Sequence, residues 1–382
     1  MSDCFGAFAP LETPDDSEEA TPASARLSRY AGPMQKKLFF RCARLAAMGF
    51  ALACGVACLT QGFAQTTTPT KPQYQYFRTG SAKDVAVATQ AGFALMGGGT
   101  DLDEAFRWMC ERAGGGDFLV LRARGDDDYN PYIQPLCKLN SVATLILPNR
   151  EAAMDPLVAE TIAHAEAIFI AGGDQANYIR YWMGTPVQAE INKAIQRGVP
   201  VGGTSAGLAV LGEWAYSAEG DKPDDPNLDA KTALADPMGP RVTLVHGFLD
   251  IPVLKGMITD SHFAKRDRMG RLLVFIAKIQ CNGLSKSIRG IGIDEKSALL
   301  LEPDGHGKVV GAEGRGAYMV FLHGFQMGLD PGQPLPTSEY QVQRIEPGKP
   351  VNLSKWEENA QPYALMVKHG TVKRAGSVSS LY

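Results

Sequence analysis

The sequence lacks the motifs that mark several large classes of protein. No C-x-x-C pair occurs among its seven cysteines, which argues against a zinc ribbon or a thioredoxin-like redox site. The turn Gly97-Gly98-Gly99-Thr100-Asp101-Leu102 lacks the last glycine of G-x-G-x-x-G, so a dinucleotide cofactor is not indicated. We predict instead that this turn brings backbone close to an active site. The possible metal-ligating residues of the sequence do not have the spacing of a metal site, and we expect that the protein binds neither a metal ion nor a cofactor.

The sequence also lacks an excess of positive charge. Its 38 lysines and arginines are balanced by 41 aspartates and glutamates, which gives a formal net charge of −3. We therefore predict no nucleic-acid partner. With 45% apolar and 21% charged residues, the composition is that of an ordinary globular protein.

The amino-terminal part shows no pattern of a folded domain. Residues 1–33 are polar and rich in Ala, Ser, Pro and Glu, and we predict that they are disordered or follow a misassigned start, with Met34 as the alternative start. A basic region, an apolar stretch and small residues up to Ala64 then follow, as in a secretory signal.

The apolar stretch of that signal, residues 45–59, is shorter than the ~20 residues of a membrane span. We predict that residues 34–64 are a signal peptide, cleaved after Ala64, and that the protein is secreted or periplasmic without stable membrane insertion. A membrane anchor and a lipoprotein site at Cys54 or Cys58 are the alternatives.

The cysteines agree with export. Cys110, Cys137 and Cys281 remain after the predicted cleavage. We predict that each of the three is a buried structural thiol; a single disulfide, between Cys110 and Cys137, is the alternative.

Residues 65–90 are predicted to be a linker that leads into the domain, and residues 91–382 a single α/β domain. Apolar strands alternate with amphipathic helices, which predicts a parallel sheet covered by helices on both faces. The strands predicted before residue 199 are residues 93–96, 118–122, 142–147 and 167–171. The predicted helices are residues 101–112, 157–165, 178–196 and 263–278. The excursion at residues 214–244 is predicted to be a lid or substrate wall.

A nucleophile elbow is predicted at Gly203-Thr204-Ser205-Ala206-Gly207. This segment fits G-x-S-x-G and lies where an apolar strand turns into a helix. A nucleophilic serine needs a base. Among six histidines, His262 leaves an apolar segment and opens a predicted helix, so it is the preferred candidate; His246 stays an alternative.

Three separated blocks give a family resemblance. They are Ala171-Gly172-Gly173-Asp174-Gln175, the elbow itself, and Asp260-Ser261-His262-Phe263 followed by Arg266, Arg268 and Arg271. In these blocks the chain resembles the cyanophycinase and aspartyl-dipeptidase family of serine peptidases. It departs from them at Ser261, where relatives often have glutamine, and in its longer excursion.

The resemblance implies a flavodoxin-like (class I glutamine amidotransferase-like) three-layer sandwich with a mostly parallel sheet and a β-rich C-terminal part. It implies a triad of Ser205, His262 and Glu295, with Asp294 pointing to the other face of its strand. The oxyanion would be held by the N–H groups of Gly173 and Ala206.

The resemblance further implies that certain residues line an aspartyl pocket, since guanidinium groups bind carboxylates bidentately. The implied substrate-binding residues are Gln175, Asp260, Arg266, Arg268 and Arg271. The implied activity is hydrolysis of cyanophycin, a poly-aspartate with arginine on each β-carboxyl, to β-Asp-Arg dipeptides. An aspartyl or isoaspartyl dipeptidase and a catalytically silent peptide-binding member are the alternatives; a homodimer is also implied.

Overall fold

The computed structural model describes residues 73–285, 287–325, 328–376 and 380–382. These residues belong to one compact unit. The predicted disordered segment, the signal peptide and the start of the linker lie outside the described residues.

The strands follow one another along the whole of this unit. In chain order they are β1 (Gln75–Gly80), β2 (Phe93–Met96), β3 (Asp117–Arg122), β4 (Ser141–Ile146), β5 (Ala167–Ile170), β6 (Val201–Thr204), β7 (Trp214–Tyr216), β8 (Leu244–His246), β9 (Met257–Asp260), β10 (Arg289–Ile293), β11 (Ser297–Leu301), β12 (His306–Gly311), β13 (Ala317–Phe325), β14 (Ser338–Ile345), β15 (Pro350–Asn352), β16 (Tyr363–Lys368) and β17 (Thr371–Arg374).

The helices are concentrated in the first two thirds of the unit. They are α1 (Asp103–Arg112), α2 (Tyr129–Ile133), α3 (Arg150–Ala153), α4 (Pro156–Ala163), α5 (Gln175–Trp182), α6 (Pro186–Gln196), α7 (Ala206–Ala209), α8 (Ala230–Ala235) and α9 (Met269–Cys281), with short 3₁₀ turns at Gln134–Leu136, Pro252–Leu254 and Trp356–Glu358.

Two sheets organise these strands. The first has the order β1-β4-β3-β5-β6-β2-β11-β12-β15, and its centre from β4 to β2 is parallel. The pairings outside that centre are antiparallel. The α/β prediction is confirmed, whereas the sheet is mixed and not mostly parallel.

Apolar side chains on both faces explain why this centre is covered by helices. On one face Phe106 and Met109 of α1 pack with Phe118 and Val120 of β3. On the other face the apolar side chains of α4, α5 and α6 pack against the strands. Strands that bury both faces are typical of parallel sheets.

The second sheet has the order β17-β16-β14-β13-β10-β9-β7-β8. It contains most of the C-terminal strands, so the prediction of a β-rich C-terminal part is confirmed. The excursion at residues 214–244 is more structured than predicted, because it includes β7, the short helix α8 and the start of β8.

Two predicted helices are wrong in their bounds. The helix predicted over residues 178–196 is two helices, interrupted by Gly184 at φ 69° and Pro186. The helix predicted over residues 263–278 begins only at Met269, since Asp267 has φ 47° and breaks the helical geometry.

The alternative prediction for Cys110 and Cys137 is confirmed, and the preferred prediction of two structural thiols is wrong for this pair. Cys110 at the end of α1 is bonded to Cys137, which follows α2, with their Cα atoms 6.0 Å apart. Each helix of the described residues falls short of the length and apolar character that crossing a bilayer requires.

Candidate active site

Ser205 lies on a strained turn between β6 and α7. Its backbone has φ 53° and ψ −114°, which is rare for a residue with a side chain. The turn is tight, because a Cβ at Gly207 would come within 2.0 Å of the carbonyl oxygen of Ile170. The sequence therefore needs a glycine here, and the turn presents the half-buried Ser205 at the carboxyl end of a central strand.

Three side chains form one hydrogen-bonded chain at this point. Ser205 Oγ lies 2.6 Å from His262 Nε2, and His262 Nδ1 lies 2.7 Å from Glu295 Oε1. This geometry is that of a nucleophile, a base and the group that orients the base. The structure thus brings together the three residues predicted to form a triad.

The alternatives weighed from the sequence lie elsewhere. The Asp294 carboxylate accepts hydrogen bonds from the backbone N–H groups of Ala264 (2.9 Å) and Gly316 (3.1 Å). His246 is more than half exposed on β8, where its Nε2 lies 3.5 Å from Glu213 Oε1. Neither contacts Ser205 or His262 in this arrangement.

The environment favours a neutral His262. Burial lowers the pKa of His262 below its ordinary value, and the positive charges of Arg266 and Arg268 lower it further. The hydrogen bond to Glu295 opposes this by raising it. The same hydrogen bond holds the pKa of Glu295 below its usual range. A neutral imidazole beside an ionised carboxylate is the state that a general base requires.

The glycine-rich turn after β2 closes against the imidazole. Gly97 O accepts a 2.7 Å hydrogen bond from His262 N. A Cβ on Gly98, which has φ 91°, would come within 2.6 Å of the His262 ring. The prediction that this turn brings backbone close to the site is confirmed.

The two predicted oxyanion donors lie at the carboxyl ends of the neighbouring strands β5 and β6. Ala206 begins α7, and Gly173 lies in the turn after β5, whose carbonyls at Ala171 and Gly172 accept hydrogen bonds from the Tyr178 hydroxyl. Among the hydrogen bonds of the described residues, the N–H groups of Gly173 and Ala206 donate to no protein acceptor. Their catalytic role stays a prediction.

A cleft of about 490 Å³ adjoins the turn at Gly173. The excursion supplies one of its walls, and α5 supplies another. The lining residues of the cleft include Gly172, Asp174, Asn177, Tyr181, Lys222 and Pro226. Gln175 is half-buried at the start of α5, beside Asp174, whose carboxylate accepts the Ala176 N–H at 2.9 Å.

Three charged residues predicted to bind substrate instead form a buried ion cluster, the Asp260 cluster. Arg271 Nε and Nη2 donate to the two oxygens of Asp260 at 2.7 and 2.6 Å. Arg268 Nη1 donates to Asp260 Oδ1 at 3.3 Å. Burial alone would raise the pKa of Asp260, but the two guanidinium groups outweigh it and keep that pKa low.

The excursion completes this cluster. Arg268 Nη2 donates to Asn227 Oδ1 at 2.6 Å, and Arg271 Nη1 donates to Leu228 O at 3.1 Å. Both arginines are more than 90% buried and have protein acceptors. This corrects the prediction that they bind a substrate's carboxylates. Of the three predicted arginines, Arg266 alone is exposed, and it is close enough to lower the pKa of His262.

One carboxylate beside the site was missed from the sequence. Asp101 accepts hydrogen bonds from Thr204 Oγ1 at 2.7 Å and from the Tyr129 hydroxyl at 2.6 Å. Its position at the end of the Gly97–Gly99 turn was visible, but both partners lie far away in the chain. No group of His, Cys, Asp and Glu among the described residues could hold a metal ion.

Comparison with known proteins gives one family. Residues 135–306 match the model of peptidase family S51, and they include all three residues of the hydrogen-bonded chain. A cyanophycinase of Synechococcus elongatus is 26% identical over 211 residues, which is 53% of this chain and 59% of that protein. A cyanophycinase of Trichormus variabilis is 30% identical over 173 residues, 44% of this chain and 50% of that protein.

These matches span between half and three fifths of the length of the two relatives. Among solved structures, a peptidase from an acI-B1 actinobacterium covers 69% of this chain and 98% of its own, with 18% identity and a TM-score of 0.45.

Proposed function

We propose that this chain is a serine peptidase of family S51, whose model matches residues 135–306, with Ser205 as its nucleophile. The observation that carries the proposal is the hydrogen-bonded chain from Ser205 through His262 to Glu295. The short distances favour this activity over a silent peptide-binding member, which would not need an aligned base.

The proposed reaction follows from this geometry. His262 Nε2 takes the hydroxyl proton while Ser205 Oγ attacks the scissile carbonyl, and Glu295 stabilises the imidazolium. The N–H groups of Gly173 and Ala206 stabilise the tetrahedral oxyanion. The imidazolium then protonates the leaving amine, and water activated by His262 releases the acyl group.

The proposed substrate is cyanophycin, cut to β-Asp-Arg dipeptides. The relatives' name supports this, as does the exposed Arg266 near the base, where a guanidinium can bind a carboxylate. The open cleft beside Gly173 can accept a chain that continues past the cut. An aspartyl or isoaspartyl dipeptidase is the second candidate, favoured by the burial of Arg268 and Arg271, which leaves one exposed arginine of three.

The finer fold assignment is also a proposal. Counted from β3, the parallel strands β4-β3-β5-β6 have the order 2-1-3-4 of a flavodoxin-like sheet. The position next to β6, where a fifth strand would follow in that order, is occupied by β2, which comes before these strands in the chain. This order supports a flavodoxin-like sandwich with a rearranged edge.

Export is proposed on two grounds. The amino-terminal signal pattern is one, and the Cys110–Cys137 disulfide is the other, since disulfides persist mainly in oxidising compartments. A mature amino terminus at Gln65 in protein recovered outside the cytoplasm is the expected result; an intact residue 34–64 segment on active protein would contradict it.

The test of function uses insoluble cyanophycin and mass analysis of the soluble products. We expect β-Asp-Arg dipeptides from the parent and none from Ser205→Ala. Release of aspartate from short aspartyl or isoaspartyl peptides, with the polymer untouched, would select the dipeptidase. No turnover of either substrate would contradict the proposal.

A further inference from the structure

The backbone carbonyls of residues 96–98 accept hydrogen bonds from Ser205, from His262 and from the residue after Glu295. Met96 O, just before the turn at residues 97–101, accepts the Ser205 N–H at 3.2 Å. Gly97 O accepts the His262 N–H, and Gly98 O accepts the Lys296 N–H at 3.0 Å, next to Glu295. The relative positions of serine, base and carboxylate therefore depend on where this turn lies.

Asp101 holds the far end of the turn. Its Oδ1 accepts from the hydroxyl of Thr204, the residue before the nucleophile, and its Oδ2 accepts from the hydroxyl of Tyr129. Thr204 is buried. The centroid of the Tyr129 ring lies 6.0 Å from that of Phe106 and 5.5 Å from that of Phe169. Both donors are thus fixed by strand β6 and by the core around α1.

We propose that Asp101 is a positioning residue of the peptidase site, which ties the glycine-rich turn to the elbow strand through Thr204 and to α2 through Tyr129. The inference rests on the proposed serine chemistry. Asp101 touches none of the three triad residues; it acts through the backbone of residues 96–98, which contacts Ser205 and His262. A carboxylate suits this task because its two oxygens accept both hydroxyls at once, whereas an amide offers one acceptor oxygen.

The chain offers a matched control two residues later. Asp103 accepts a 2.8 Å hydrogen bond from the Tyr132 hydroxyl, as Asp101 does from Tyr129. Asp103 is exposed on α1, where its carboxylate lies 3.7 Å from Arg107. Asp103→Asn therefore removes one negative charge and weakens one contact with a tyrosine, as Asp101→Asn does, but at a position outside the glycine-rich turn.

The experiment measures the rate at which Ser205 is phosphorylated by diisopropyl fluorophosphate, followed by intact mass. In this reaction the Oγ–P bond forms, fluoride leaves, and His262 takes the hydroxyl proton, so no peptide substrate is needed. We expect Asp101→Asn to slow labelling on the order of tenfold, since small misplacements of reacting groups have large rate effects. Asp103→Asn should label at the parental rate.

Turnover separates positioning from a merely structural role. With a peptide substrate, Asp101→Asn should lower kcat and leave KM unchanged, because substrate contacts are intact. If Asp101→Asn lowers only the melting temperature and folded protein labels at the parental rate, the inference is overturned. A parent that does not label overturns the proposed function, and this inference with it.

A second variant covers the case in which Asp101→Asn does not fold. Tyr129→Phe keeps the ring and its packing but removes one donor to Asp101. We expect it to fold and to label severalfold more slowly than the parent. Labelling of Tyr129→Phe at the parental rate would then overturn the inference.

Discussion

Asp260 of the Asp260 cluster and His262 of the candidate triad are two residues apart in the chain, but the two groups use their polar side chains in opposite ways. In the cluster, Asp260 is paired with two buried arginines. In the triad, Ser205 is half-buried and shares its hydrogen bond with a base that can take its proton. The hydrogen-bond partners, and neither residue type nor burial alone, distinguish a group that supports the site from one that can react, since His262 and Arg268 are about equally buried.

The comparison also shows how one region supports the other. Asp260 ends β9, and its side chain accepts the Ser261 N–H at 2.8 Å. Arg268 Nη1 donates to Ser261 O at 2.9 Å. The cluster therefore fixes the backbone on which His262 is carried. We expect the cluster to control stability and the triad to control turnover.

The largest expected effect is on turnover. Ser205→Ala should lower kcat by about 10⁴-fold or more with an unchanged melting temperature, because it removes the nucleophile and only a small side chain. The double variant Ser205→Ala/His262→Ala should be scarcely slower than either single variant, since triad members act as a unit. Activity that survives Ser205→Ala would identify another nucleophile.

The next effect is on stability. Arg271→Ala should lower the free energy of unfolding by about 3–5 kcal/mol, because it leaves the Asp260 carboxylate buried with an arginine fewer. Urea denaturation measures this change. Arg271→Lys keeps the charge but loses the bidentate contact and should also destabilise. If Arg271→Lys instead lowers turnover with parental stability, Arg271 binds substrate as the sequence suggested.

Arg266 should behave in the opposite way. Arg266→Lys should lower kcat/KM for the polymer about tenfold, since an ammonium cannot make the planar two-bond contact to a carboxylate. Its free energy of unfolding should stay within about 0.5 kcal/mol of the parent. The neighbouring exposed Lys265→Ala is the control, with parental kinetics. Parental kcat/KM in Arg266→Lys would remove the main support for an acidic substrate group.

The smallest effect is on pH dependence. Because burial lowers the pKa of His262, kcat/KM should fall on the acid side with a midpoint below about 6.5, the ordinary histidine value. Glu295→Gln removes a contribution that raises this pKa and should move the midpoint lower; Arg266→Gln should move it higher. An acid-side midpoint above that of free histidine would contradict the assignment of His262 as the base.

The lowered pKa of His262 also makes the free energy of unfolding depend on pH, and the direction of that dependence follows from the direction of the pKa shift. The native state prefers the neutral imidazole, so the unfolded state binds more protons just below pH 6.5. The stability contributed by His262 is therefore present above about pH 6.5 and is lost as the pH falls toward its native pKa. Urea midpoints measured across this interval for the parent and His262→Ala check it.

The sequence was sufficient for the parts of the site with a local pattern. The elbow at Ser205 follows from glycines next to a strand. Glu295 was implied by the family resemblance, and alternation added only that Asp294 and Glu295 point to opposite faces. The different roles of Arg266, Arg268 and Arg271 could not be predicted. The spacing of charged residues does not show whether a guanidinium group binds a substrate or a buried carboxylate. The contact that decides this for Arg268, at Asn227, comes from 41 residues away.

Other parts depended on contacts that no local pattern carries. The hydrogen bond between Asp101 and Thr204 joins residues 103 positions apart. The start of α9 at Met269 depends on the positive φ of Asp267. The charged residues around Asp267 have the spacing of one face of a helix, so the sequence predicted that the helix continued through them. The short strand β7 pairs with β8, which follows it across the excursion. Each strand has three residues, which is too few to show an alternating pattern in the sequence.

The Cys110–Cys137 disulfide also acts on the denatured ensemble. The two cysteines are 27 positions apart, and β3, which lies in the parallel centre of the first sheet, falls inside the covalent loop. Closing a loop of that length removes chain entropy from the unfolded protein equivalent to about 3.5 kcal/mol. The oxidised unfolded chain is also more compact, so urea gains less new surface and the m-value is smaller than in the reduced protein.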